Sequence, residues 1–250
     1  MVFSRIIYCA ILVGLVTGVL LSSLQIASLN PIILAAEAYQ TSAGESATGN
    51  DGDGHSDHAH EHDEDAWMPA DGLQRTAYTL LANMLVSTGF AAIMLALMNL
   101  SRLARKRSIS WSQGSLWGLA GFTAMFLAPA LGLPPEIPGV TAAPVEHRQI
   151  WWLLTALSVA IGLGIFAFTS GYIKALGVLF LAIPYVVGAP QTDGPMFRHP
   201  DPNAAEALVY LHQQFVVISG ITNLVFWLVL GLTCRYAFNR WFRDLPIDDD

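Results

Sequence analysis

The sequence predicts an all-α fold, a polytopic membrane helix bundle of six transmembrane helices with both termini in the cytoplasm. Three observations carry that expectation. Of the 250 residues, 54% are hydrophobic and only 12% are charged, where a water-soluble domain has about a quarter charged. Apolar runs long enough to cross a hydrocarbon layer of about 30 Å recur along the chain. Basic residues gather at alternate ends of those runs, as they do beside the cytoplasmic face of a membrane. The runs lack strand-like alternation, and in lipid the backbone must satisfy its own hydrogen bonds, so helices are expected rather than barrel strands.

The first run, Ile6 to Leu29, holds no charge and is closed by Asn30-Pro31. A cleaved secretory signal competes with this reading, because Arg5 precedes the run and Ala36-Glu37-Ala38 has a small-x-small form. A signal core of about 7 to 15 residues is much shorter than this run, which favours a retained span. Five further runs follow: Ala77 to Leu100, Gln113 to Leu133, Ile150 to Gly171, Ala175 to Ala189, and Leu208 to Cys234. The fifth of the six is short and contains Pro184, so five crossings are the alternative. With six, Arg5, Arg102, Arg105, Lys106, Arg107, Lys174, Arg235, Arg240 and Arg243 fall inside, nine of the twelve basic residues. Only Arg75, Arg148 and Arg198 fall outside. Five crossings would place the last three arginines on the wrong face. The chain therefore divides into a first helix over 1–30, an outer loop rich in histidine and acid over 31–76, helices two to six over 77–234, and a cytoplasmic tail over 235–250.

That outer loop contains DGDGHSDHAHEHDED at 51–65, four histidines and seven acids in fifteen positions. Neutral imidazole nitrogen binds zinc, nickel, cobalt and copper ions, and carboxylates add oxygen. His58, His60 and His62 alternate, so an extended chain sets them on one side about 7 Å apart; a helix instead pairs His58 with His62. Asp57, Glu61 and Asp63 lie between them and raise the local cation concentration, and His55 adds a fourth imidazole. The competing reading is a solvated low-complexity loop. Four histidines within eight residues favour weak, rapidly exchanging metal binding. The remaining histidines fall on or beside the same outer side: His147 in the second loop, His199 in the third, His212 near the outer end of the last span. With Glu136 and Glu146 they are candidates for a second, more ordered site, while Arg75 and Arg148 are expected to pair with such acids and hold the loops.

Within the spans no residue is charged. Asn83 with Ser87, and Ser219 with Asn223, are each four apart and share a helix face. They either line a cation path or donate interhelical hydrogen bonds worth about 0.6 to 2 kcal/mol. Gly14 with Gly18, and Gly114 with Gly118, form small faces suited to close helix contact. Pro129 and Pro184 are expected to kink the third and fifth spans, freeing carbonyls that can line a cavity. Cys9 and Cys234, both toward cytoplasmic ends, read as packing residues and not as a metal motif. There is no Gly-x-x-x-x-Gly-Lys sequence to bind ATP, no zinc-protease spacing and no nucleophile matched to a histidine. No catalytic residue, tightly bound cofactor or nucleic-acid partner is expected; the lipid bilayer and a loosely held or transported divalent cation are.

The histidine segment leading into DEDAWMPADGLQRTAYTLLANMLVSTGFA, followed by APALGLPPEIPG, RQIWW, AIPYVVGAPQ and FVVISGITNLVFWLVLG, resembles the CbtA family of predicted cobalt transporter subunits linked to cobalamin metabolism. The resemblance runs over nearly the whole chain and is most specific at Trp67 to Gly72 with Arg75, at Leu133 to Gly139, and at Arg148-Gln149 before Trp151-Trp152. It implies a multi-pass inner-membrane subunit that imports cobalt together with a small partner, CbtB, which has its own span and histidine motif. It also implies five spans, where the charge distribution gives six. Cobalt as the metal comes from the resemblance alone. The leading expectation is a cobalt importer subunit; the alternative is a membrane-anchored protein that buffers or senses metal, or regulates a partner, without transport. Efflux is a weaker third, because the ligands lie outside.

Overall fold

Long uncharged runs give long helices here. In the computed structural model, which describes residues 2–48, 72–105 and 110–242, α1 spans Val2–Ser28, α2 Asn30–Thr48, α3 Leu73–Arg105, α4 Trp111–Phe122, α5 Ala128–Ala130, α6 Val145–Phe168, α7 Lys174–Val187 and α8 Pro202–Trp241. A π-helical turn, Thr123–Leu127, joins α4 to α5, and a 3-10 turn, Gly171–Ile173, precedes α7. The described residues contain no strand, only a single antiparallel bridge between Val140 and Phe197.

By length and apolar composition, four described helices, α1, α3, α6 and α8, are able to cross a membrane. In the places of the third and fifth expected spans stand the π-broken segment from Trp111 to Ala130 and the shorter apolar helix ending at Val187. The exposed surface is correspondingly oily: Leu85, Leu157, Val186 and Ile221 are among many large side chains facing outward. In water such a surface would drive aggregation; against acyl chains it costs nothing.

The main core lies among α1, α3 and α8. Cys9 and Val13 of α1, Leu95 and Met98 of α3, and Phe226, Leu230, Cys234 and Phe238 of α8 are buried together. Glycine permits this closeness, as the small-residue faces predict. A Cβ on Gly18 would lie 2.6 Å from Met84 Cα, and one on Gly14 would collide with the Thr88 backbone. On the other side of α8, a Cβ on Gly231 would lie 2.7 Å from Gly118 N, and Gly114 abuts Arg235. Both glycine pairs are therefore backbone contact points.

Polar groups between α1 and α3 are bonded to each other. Asn83 Nδ2 donates to Ser22 Oγ at 3.0 Å and to Gln25 Oε1 at 2.7 Å. At the end where α1 begins, two arginines serve the last turn of α8. Arg5 donates to the Trp241 carbonyl and Arg102 to that of Phe242, each at 2.8 Å. Carbonyls at a helix C-terminus have no intrahelical donor and sit at the negative end of the dipole, so a guanidinium is a fitting partner. Arg235 stacks over Trp111 at 3.8 Å, at the same end. In the sequence these basic residues mark only sidedness.

The expected loop over 31–76 begins differently. After a turn at Leu29 the chain resumes helix at once, and α2 takes in Asn30-Pro31 at its start. Proline is tolerated there because a first-turn N–H has no intrahelical acceptor to lose. Ile32 and Ala36, four residues apart, place an apolar edge of α2 against Ile137, Phe197 and Leu208.

Candidate functional site

The end of the bundle opposite Arg5 and Arg102 collects the candidate ligands that the structure describes. Its segments 131–144 and 188–201 are tied together: Thr141 N–H donates to the Met196 carbonyl at 2.8 Å, and Thr192 Oγ1 to the Thr141 carbonyl at 3.0 Å. Gly139, inside the first of these segments, has φ at +89°, in the left-handed region, and leaves room for Gln40 of α2, whose Nε2 would be 2.9 Å from a Cβ there.

Arginine pairs hold the same end. Arg148 bonds Glu136, as the sequence suggested for an outer acid. Arg75 instead bonds Glu37 of α2, through Nη2 to Oε1 at 2.8 Å and Nη1 to Oε2 at 3.3 Å, an acid that helix formation brought into reach.

His199 is clasped at both nitrogens. Its Nδ1 accepts from the Asp201 N–H at 3.1 Å, which puts the ring proton on Nε2, 3.1 Å from the Tyr39 carbonyl of α2. In this arrangement neither nitrogen has a lone pair to offer a metal; the residue fastens α2 to the start of α8. His212 is buried on α8, edge-on to Phe197, and its Nδ1 has no hydrogen-bond partner. His147 and Glu146 are exposed on the first turn of α6. No three His, Cys, Asp or Glu side chains among the described residues come together as a metal site. His55, His58, His60 and His62, with Asp57, Glu61 and Asp63, lie outside the described residues.

Of the candidate path residues, Asn83 is engaged with α1 as described, and Ser87 beside it is fully buried with no hydrogen-bond partner for Oγ. Asn223 donates to the Ser219 carbonyl of its own helix at 3.0 Å. None of the four lines either of two cavities that flank the broken helix. One cavity, of about 600 Å³, lies at the ligand-bearing end among Pro129, Pro135, Glu136, Arg148, Gln149 and Trp152. The other, of about 800 Å³, lies among α3, α4 and α6 and reaches Ser101 and Gln113 toward the opposite end. The expected break at Pro129 appears as the π turn just before it. Nothing in the sequence pattern announced that turn; only the proline hinted at it.

Apolar helices of membrane-crossing length, an oily exterior and charge confined to the ends define a polytopic helical membrane protein. The family model described as "Probable cobalt transporter subunit (CbtA)" matches residues 3–239, and the chain belongs to that family. No curated protein and no solved structure matches it.

Proposed function

We propose that this chain is the membrane subunit of a divalent-metal importer with cobalt as cargo, in which the histidine and acid segment captures the ion outside and the helical bundle passes it inward. Family membership across residues 3–239 carries the transporter assignment. Sidedness supports the rest. Arg5 and Arg102 sit together at one end and Glu37, Glu136, His147 and His199 at the other. The positive-inside rule then sets Arg5 and both termini in the cytoplasm of an inner-membrane protein, with six crossings. Residues His55, His58, His60, His62, Asp57, Glu61 and Asp63 belong to the outer water in that orientation, and His147, His199 and His212 lie at or just inside the same surface.

The capture segment concentrates dilute cations near the mouth. Ligating imidazoles must be neutral, so capture weakens as pH falls below about 6, where protons compete for the same nitrogens. A small CbtB-like subunit, with its own span, is the proposed partner.

Uptake of cobalt into proteoliposomes, with and without that subunit, tests this reading. Uptake in either preparation supports the importer. Binding without uptake in both removes it and leaves a metal buffer or sensor. Replacing His55, His58, His60 and His62 together by alanine is expected to cut accumulation at limiting cobalt and to matter much less at high cobalt. Equal uptake at limiting cobalt would reduce the segment to a linker. Competition among cobalt, nickel, zinc and copper reads the preference directly.

A further inference from the structure

The larger cavity, of about 800 Å³, is an apolar groove among α3, α4 and α6. Met94, Ala124 and Trp227 on its floor are buried, while Ile93, Leu97 and Phe168 on its rim are exposed, so it opens sideways onto the acyl region of a bilayer. Among the described residues, no acidic, basic or imidazole side chain lines it. Its only polar side chains, Ser101 and Gln113, stand where α3 finishes and α4 begins. Gln113 Oε1 accepts the Ser110 N–H at 2.9 Å, which leaves the Nε2 donors for a ligand oxygen. That end of the bundle is basic. Arg5, Arg102, Lys174, Arg235 and Arg240 lie there, whereas Glu37, Glu136, Glu146, Asp201 and Glu206 lie at the other. Arg235 packs beside Gly114 and stacks over Trp111 at 3.8 Å, in the first turn of α4 with Gln113.

On these grounds we infer that the groove binds an anionic phospholipid of the cytoplasmic leaflet, one acyl chain along its apolar walls and the phosphate among the basic side chains at its mouth. Binding there does not depend on transport. Charge selects the headgroup, because basic side chains at the cytoplasmic surface attract anionic lipids and the groove itself offers a cation no ligand. Depth selects lipid over a partner's transmembrane helix. From Gln113 to Ala124 the chain rises about 17 Å at about 1.5 Å per residue. That matches one leaflet, half of a hydrocarbon layer about 30 Å thick, where a spanning helix needs the whole. Volume agrees: about sixteen carbons, each roughly the 30 Å³ of a water, fill about 500 Å³. The lipid supplies packing that the protein lacks beside the π turn.

The test takes the full chain from vesicles of equal phosphatidylglycerol and phosphatidylcholine into mild detergent and weighs it by native mass spectrometry. A retained phospholipid is expected, with phosphatidylglycerol favoured roughly tenfold by the cations at the mouth. Gly164→Leu sends a side chain into the groove from a position where a Cβ meets nothing within 4 Å, and should abolish retention. Gly89→Leu adds the same bulk at an equally open position on α3 that does not line the groove, and should leave retention intact. Equal retention of the two lipids, or equal loss in the two variants, would overturn the inference. Fluorescence gives a second reading without a groove-filling variant. Phosphatidylglycerol brominated on its acyl chain, added to phosphatidylcholine vesicles, should quench tryptophan emission in a saturable step that Trp117→Phe removes, because Trp117 lines the groove. Brominated phosphatidylcholine should lack that step. Quenching that only rises in proportion to either lipid would place both in the bulk bilayer and sink the site. Cross-linking of Ala160→Cys, on the α6 wall, to a second polypeptide would give the groove to a protein partner and do the same.

Discussion

The two sides of this bundle are built on different rules. Among α1, α3 and α8 the helices run unbroken, glycines bring backbones together, and the half-buried Asn83 bonds across to α1. Among α4, α5, α6 and α7 the chain is interrupted by a π turn and two prolines, and both cavities lie against it. Lipid offers no hydrophobic drive for helix association, so close van der Waals contact must supply it. The first side spends its glycines on that contact. The second side keeps such contact where Gly162 of α6 meets Gly177 of α7 and where the α4 glycines meet α8, but loses it beside the π turn, where the cavities lie.

The sharpest way to break this comparison is to add bulk to a glycine on each side. Gly18→Leu pushes a side chain into the Met84 backbone, which has no rotamer to yield. Separation of α1 from α3 should cost at least about 3 kcal/mol and abolish a folded band in detergent unfolding assays. Gly164→Ala on α6 meets nothing within 4 Å. It should change stability by less than about 1 kcal/mol, with helix propensity acting in its favour. Comparable losses at the two positions would show that the two sides are equally tight.

A middle-sized effect is expected where the looser side is stapled. Trp151 Nε1 of α6 donates to the Pro184 carbonyl of α7 at 3.2 Å, and its ring fills the space beside Gly132. Trp151→Phe removes the donor, but Pro184 O still accepts from Gly188 N–H at 3.0 Å. No acceptor is orphaned, so the loss should be about 1 to 2 kcal/mol, mostly missing ring volume and one hydrogen bond. A loss above about 4 kcal/mol in the same unfolding measurement would mean that α6 and α7 depend on this contact far more than the geometry implies.

The long apolar helices and the glycine faces were legible in the sequence because each rests on composition or on a spacing of four within one helix. What was not legible depends on distant partners. From sequence α2 reads as loop, because Asn30-Pro31 looks like a stop, although Ile32, Ala36 and Tyr39 carry helical spacing. Its acceptance into the fold rests on Ile137, Phe197 and Leu208, over a hundred residues away. His199 reads as a ligand until Tyr39 and Asp201 are seen to occupy its nitrogens. Arg102 reads as a positive-inside marker until the Phe242 carbonyl is found beside it. The membrane fixes what one helix must look like; which helix meets which is fixed by contacts that no local window contains.

The smallest expected effect lies at the surface, and it sharpens the comparison by showing what does not hold the bundle. Arg75 and Glu37 tie α2 to the start of α3, yet their side chains are 38% and 35% exposed. An ion pair that wet contributes at most about 1 kcal/mol, because solvent screens it and two long side chains must be immobilised. Arg75→Gln should therefore shift stability by less than about 1 kcal/mol, and a double-mutant cycle with Glu37→Gln should give a coupling that fades as salt is raised. The apolar contacts of Ile32 and Ala36 would hold α2 in place in both variants. A coupling of about 3 kcal/mol that persists in high salt would show the pair to be shielded from water, and would make α2 part of the rigid side and not a cover resting on it.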